Sequence, residues 1–454
     1  MKLNYLIKPL RGILLIGVTL SLIVTLSAQF GGGEGTEADP WQIGRPDHLD
    51  ALRNYLGEEH NDKYYIQTAN IDLTEATREG GAYWNEGDGW EPIGHDMTDN
   101  SFQGNFDGNN YTISGLYINR TTRYASLFGV TNSAVIKNVH LVDVDIQGGS
   151  STGSLNGLTH EGTVIENCTS SGIVRGTGTV GGLVSHLQVG SIVRDSYSSC
   201  DVIGTNDLIG GLIGSLAGQA VLHSSYATGD VQGRNQVGGL AGRMWHSTIR
   251  NCYSRGEVNG DDMVGGLIGQ ARGNSHIEHS YGTGRVAGGG TTGGLLSNNH
   301  NDAPVINCYW DTQTTEQETS PGGGDGRLTR QMVYDYDAET YVDWDFDEIW
   351  ADDANQEVND GYPVLHFQDV EPPVHLDPPV VSIEFVDVEG QKHSRLSWAA
   401  VDEAQSYKVY ASDDLEAEDW GEAIAHTGET VFVHPVGEEI RAFYYVIALV
   451  QEAP

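Results

Sequence analysis

Along most of the chain the apolar residues fall in very short runs separated by glycine. Between about residues 150 and 310 three such runs recur in a fixed order. The first is x-Gly-Gly-Leu, beginning at Val180, Ile209, Val237, Val264 and Thr292, with Thr152-Gly-Ser-Leu155 as a weaker first copy. Successive copies stand 28, 29, 28, 27 and 28 residues apart. The second run keeps pace: Ile165-Glu-Asn-Cys168, Val193-Arg-Asp-Ser196, Leu222-His-Ser-Ser225, Ile249-Arg-Asn-Cys252, Ile277-Glu-His-Ser280 and Val305-Ile-Asn-Cys308. The third centres on Val174, Val202, Val231, Val258 and Val286. None has the length or the 3.6-residue period of a helix. A propeller blade needs four strands in roughly 40 residues. Three short strands per repeat instead predict one coil of a β-solenoid, with glycines at tight corners and equivalent residues stacked ~4.8 Å apart. The expected fold is all-β, a right-handed parallel β-helix of about 28 residues per coil followed by a small β-sandwich. The third-run valines form a core stripe.

The flanks read differently. Lys2, Lys8 and Arg11 precede an apolar run from Gly12 to Leu26, and then Ser27-Ala28-Gln29. This is the order of a secretory signal peptide, expected over 1–28. The run is short for the ~20 residues of a membrane span, and no later segment is apolar enough to cross. Residues 29–115 read as a capping region, with a short helix from Pro46 that puts Leu49, Leu52 and Leu56 on one face and stops at Gly57. The regular solenoid is expected over 116–310 and its C-terminal cap over 311–368. Within that cap the alternation Asp343-Trp-Asp-Phe-Asp347 reads as a strand with Trp344 and Phe346 inward. Glu371-Pro-Pro373 and Asp377-Pro-Pro379 make 369–379 a stiff linker. Residues 380–454 then read as strands.

Ile209 to Gly214, Val237 to Gly242 and Val264 to Gly269 each spell x-Gly-Gly-Leu-x-Gly. Phe102 to Ile113 and Leu127-Phe-Gly129 precede them. Trp344-Asp-Phe346, Trp350 and Gly361-Tyr-Pro-Val-Leu365 follow. On these residues the chain resembles, over about 36–368, the GLUG-motif family of bacterial secreted and surface proteins. The resemblance implies the fold and a secreted or cell-surface location, and little about activity. Leu396-Ser-Trp398, Tyr407-Lys-Val-Tyr410, Val431-Phe-Val433 and Phe443 to Ala448 resemble strands of a fibronectin type III domain. The motif family also occurs in immunoglobulin-A-specific metallopeptidases, which carry a His-Glu-x-x-His zinc helix. The only His-Glu pair here is His160-Glu161, with Val164 where the second histidine would stand.

Charge narrows the partners. Against 24 Lys and Arg stand 63 Asp and Glu, a formal net charge of −39. Such a chain repels nucleic acid and anionic membrane. Acid-rich, lysine-poor composition suits a salty milieu, and equally an ordinary acidic secreted protein. Four cysteines in an exported chain raise the question of disulfides. Cys168, Cys252 and Cys308 share one repeat position, which places the nearer two rungs apart, ~9.6 Å. A disulfide needs Cα atoms within ~7 Å, so the thiols are expected unpaired.

Two stripes are candidate sites. Asp201, Asp230 and Glu257 fall on successive rungs beside the inward valines, with Arg285 next. Pointing outward, they form either a solvated acidic face or a divalent-cation ladder, Ca2+ being the candidate. Counting the first glycine of each Gly-Gly-Leu as one, position eight is His160, Gln188, Ala217, Trp245, Arg272 and His300. Gln188, Trp245, Arg272 and His300 are the candidate ligand contacts, since Trp and Arg are strong anchors and an exposed Trp suits stacking on a sugar. No matched catalytic set appears. The expected function is a secreted or cell-surface, non-catalytic adhesion or glycan-binding protein whose partner is extracellular polysaccharide or a cell-surface ligand. The alternatives are a polysaccharide lyase or glycoside hydrolase, by fold analogy, and a structural spacer of the cell envelope.

Overall fold

The structure, a computed structural model, describes residues 29–356, 358–368, 381–388, 391–400, 406–412, 425–427, 429–435 and 443–449. The expected signal peptide and Pro-rich linker lie outside these residues. The chain divides into two compact units, Met1–Val370 and Glu371–Pro454. The first is a parallel β-solenoid of about ten coils of roughly 28 residues.

Each coil of the regular repeat adds strands to three parallel ladders. One ladder runs through Thr179–Gly181, Asp207–Gly210, Asn235–Gly238 and Asp262–Gly265, with Gly210 opposite Gly238. The next contains Val184–Gln188, Ile213–Ala217, Ala241–Trp245, Ile268–Arg272 and Leu296–His300. The third takes both remaining runs of each repeat, pairing Ile165 with Val193 and Val202 with Val231 and onward to Val258 and Val286. The stacked valines, leucines and isoleucines are almost wholly buried in one continuous core. The glycines of the motif are set by close approach. A β-carbon on Gly238 would collide with the carbonyl of Ala241, and one on Gly239 with the carbonyl of Gly266 on the next coil.

The parallel ladder begins before the regular repeat. Trp41–Ile43, Tyr64–Gln67 and Asn105–Asp107 pair in register with later coils, so the segment expected to cap also builds rungs. Its helix is shorter than expected, Pro46–Ala51, and passes into a 3-10 turn, Leu52–Asn54; Leu49 and Leu52 are fully buried, while Leu56 beyond the turn is only partly so. Phe30 stacks on Trp41 beside it, with ring centroids 4.9 Å apart.

The segment after Trp310 does more than close an end. It runs back along the solenoid over a column of tyrosines that follows the Cys/Ser position. Tyr197, Tyr226, Tyr253 and Tyr281 stack with centroids 4.7–5.0 Å apart and nearly parallel rings. Trp344, Trp350, Tyr362 and Leu365 pack against this column. The expected strand at 343–347 is a turn instead: Asp345 accepts hydrogen bonds from the N–H groups of Asp347 and Glu348, while Trp344 is inward as expected.

The second unit is a small β-sandwich. Val381–Val388, Gln391–Trp398 and Val431–Pro435 form one antiparallel sheet, and Ala425–Thr427, Ser406–Ser412 and Phe443–Leu449 the other. Leu396 and Trp398 from the first meet Tyr407, Val409 and Val446 from the second. Among the described residues no helix is long and apolar enough to cross a membrane.

Candidate functional site

The strand after Gly-Gly-Leu alternates inward and outward side chains. In Ala241–Trp245, Met244 is buried in the core while Arg243 and Trp245 face out. The parallel register then places Arg272 beside Trp245 and His300 beside Arg272. Together they bound a groove of about 500 Å³ whose lining includes Arg243, Trp245, His246, Arg272, Asn274 and His300. Trp245 is 50% exposed. Its ring centroid lies 5.4 Å from that of His246, and half of its surface is left to solvent.

Local backbone explains why the tryptophan stands free. The preceding rung offers only Ala217 at that position, so one side of the indole is uncovered. On the following rung Gly273 turns the chain with a φ of +65°, and a β-carbon there would press within 2.8 Å of both Trp245 and His246. The His246 Nδ1 accepts the N–H of Asn274 at 3.1 Å, which ties the two turns together. Arg243 is half-buried. Its Nη2 reaches Ser215 Oγ at 3.4 Å, and its Nε is buried without a hydrogen-bond partner among the described residues. Burial, and then the charge of Arg272, lower its pKa.

Of the four expected contacts, three converge. Gln188 stays outside, two rungs before Trp245 in the same ladder and separated from it by Ala217. Arg243 and His246 were not anticipated. The signal for Arg243 lay in the strand alternation, since it stands two residues before Trp245 on the same face.

The acidic stripe forms a separate depression of about 250 Å³ lined by Asp201, Asp230, Gln232, Glu257 and Asn259. Its carboxylates sit on adjacent rungs, and donors within the protein relieve them. Asp201 accepts the N–H of Asp230 at 3.2 Å, and Asp230 accepts that of Glu257 at 2.9 Å. Arg285 pairs with Glu257 at 2.9 Å and with Glu316 at 3.0 Å. Among the described residues no group of three or more His, Cys, Asp or Glu gathers as a metal site.

Comparison with known proteins places residues 233–259 as a match to the GLUG motif. This stretch includes Trp245 and the Gly-Gly-Leu before it. Over 118 residues the chain is 43% identical to a "Putative Gly-rich membrane protein" of Evansella cellulosilytica, covering 25% of this chain and 12% of that protein. Over 167 residues it is 36% identical to "Halomucin" of Haloquadratum walsbyi, covering 36% of this chain and 2% of that protein. Among solved structures, an "IgA1 Protease" aligns with 62% of this chain and 23% of its own, at 18% identity and a TM-score of 0.43. The chain thus spans a small fraction of each relative's length.

Proposed function

We propose that this protein is an exported, non-catalytic adhesion or glycan-binding protein at the cell surface or in the extracellular space, and that its groove over Trp245, Arg272 and His300 takes a carbohydrate. The observation that carries the reading is the half-exposed indole. A rigid solenoid holds it in a groove between guanidinium and imidazole groups, on a coil whose other positions repeat. Such a ring gives a sugar an apolar face to stack on, and the neighbouring donors take its hydroxyl groups. The names of the two relatives, one a membrane protein and one a halomucin, support a surface location. A signal peptide over 1–28 supplies the route of export in this reading. The C-terminal sandwich serves as a fibronectin type III-like accessory unit.

A glycan array probed with the whole chain tests the proposal. Binding to a defined set of glycans is expected, with no new reducing or unsaturated ends in the bound material. Trp245→Ala should weaken binding by about 30-fold or more, since truncating an anchoring aromatic costs ~2 kcal/mol or more. Turnover of the glycan would replace the reading with that of a hydrolase or lyase. Silence across the array would leave a structural spacer.

A further inference from the structure

The groove carries the opposite charge from the molecule around it. The chain has 63 acidic residues against 24 Lys and Arg, yet no carboxylate lines the groove. Asp302 follows Asn301 in the adjoining turn but is not part of the lining. Elsewhere on the solenoid several guanidinium groups are matched to carboxylates: Arg175 to Asp145, Arg194 to Glu166, Arg234 to Asp207 and Arg285 to Glu257, all within 3.0 Å. Among the described residues Arg243 and Arg272 have no such partner, nor do Arg123 and Arg250, and the first two share the groove. They stand on adjacent rungs, Arg243 opposite Gln270 and Arg272 opposite Trp245, near enough for their like charges to repel, and an anion bound between them would relieve that repulsion. The buried, unpartnered Nε of Arg243 adds a donor in need of an acceptor.

We infer that the ligand of this groove is an anionic polysaccharide, with a sugar ring on Trp245 and its carboxylate or sulfate on Arg243 and Arg272. The inference rests on the carbohydrate-binding reading above and narrows it. A guanidinium recognises the planar edge of a carboxylate or two sulfate oxygens through parallel N–H donors, and such charge-assisted bonds are shorter and stronger than neutral ones. The indole supplies what a free anion lacks, a surface that rewards the ring carrying the charge. The acidic bulk of the chain opposes the approach of such a polymer only at range. At physiological ionic strength that field is screened beyond about 8 Å, whereas contacts inside the groove are not.

Calorimetric titration of the whole chain with polygalacturonate, dextran sulfate and neutral dextran, in about 0.15 M salt, tests the inference. At least one of the two anionic polymers should bind about tenfold or more tighter than dextran. Arg272→Gln should remove that preference without lowering the melting temperature, because Arg272 is an exposed side chain. Binding of the uronate, the sulfate or both supports the inference and identifies which anion the site takes. Equal affinity for dextran and the anionic polymers overturns the anionic specificity and leaves carbohydrate binding standing. A preference that survives both Arg272→Gln and Arg243→Gln overturns it too, since the anion would then be held elsewhere. If Arg243→Gln does not fold, Arg272→Gln alone decides. Binding of none of the three overturns the inference and the carbohydrate reading together.

Discussion

Cys168, Cys252 and Cys308 occupy a ladder position that serine fills on the intervening rungs, and they make the same bond. Each thiol meets the carbonyl two residues back, that of Glu166, Arg250 and Ile306, at 3.1–3.2 Å. The hydroxyls of Ser196, Ser225 and Ser280 do so at 2.7–2.8 Å. All four cysteines are free and buried. Burial pushes Cys168, Cys252 and Cys308 up to about 12 and Cys200 to about 11. An unfolded thiol loses its proton near pH ~8.5, well before the folded one, so above that pH the unfolded state binds fewer protons and is favoured. Stability from these groups is therefore full below about pH 8.5 and lost as pH rises through the folded values. The melting temperature should fall progressively above about pH 9, and replacing all three ladder cysteines by serine should shallow that fall. A melting temperature as steep in the triple variant would assign the alkaline transition elsewhere. A thiol reagent should modify no cysteine in the native protein and four after unfolding. The unpaired state was legible from the repeat spacing alone. The carbonyl partner was not, because it depends on the left-handed corner at Asn167, Asn251 and Asn307, with φ near +50°.

A coil is stable only in a stack, and both its glycines and its tyrosines show why. Gly239→Val should abolish folding or lower the melting temperature steeply, since the added atoms meet backbone rather than a movable side chain. Serine at the same place should do nearly as much harm, which thermal melts would establish. The three inward ladders were legible because their period and glycines recur without interruption. The tyrosine column recurs just as regularly, but an outward tyrosine reads as ordinary surface until something covers it. The cover is the segment from 311 to 368, which has no repeat and so no register to extrapolate. There, the hydroxyl of Tyr281 donates to the carbonyl of Pro363 at 2.8 Å and accepts from Asn359 Nδ2 at 2.7 Å. Gln368 Nε2 donates to the hydroxyl of Tyr253 at 2.7 Å. Tyr281→Ala should cost about 3–5 kcal/mol by opening a cavity between column and cover. Tyr281→Phe should cost only about 1 kcal/mol, since the ring stays and Pro363 keeps its bond from Asn359. Equal effects in chemical denaturation would mean that the stack, not the polar clasp, contributes nothing beyond its hydroxyl.

At the largest scale the solenoid is a regular repeat in an acidic chain, and the groove over Trp245 carries the opposite charge. The regularity of the repeat is what makes the groove meaningful. Rungs before Trp245 offer Ala217 and Gln188 at the same ladder position, whereas the three rungs ending at His300 build the groove. The sequence placed Trp245, Arg272 and His300 in one column, but whether an indole lies on its coil or stands away from it depends on the turn at Gly273, which a repeat count does not reveal. The acidic stripe shows the converse case. Its three carboxylates are neighbours as the register required, yet their hydrogen bonds to backbone N–H groups and the pair with Arg285 answer their repulsion from within. The most direct test of the account is hydrogen-exchange footprinting of the full chain with and without saturating anionic polysaccharide. Protection is expected in the turns after Trp245, Arg272 and His300 and nowhere along Asp201, Asp230 and Glu257. Protection confined to the acidic stripe or to residues 381–449, with the groove unchanged, would contradict it.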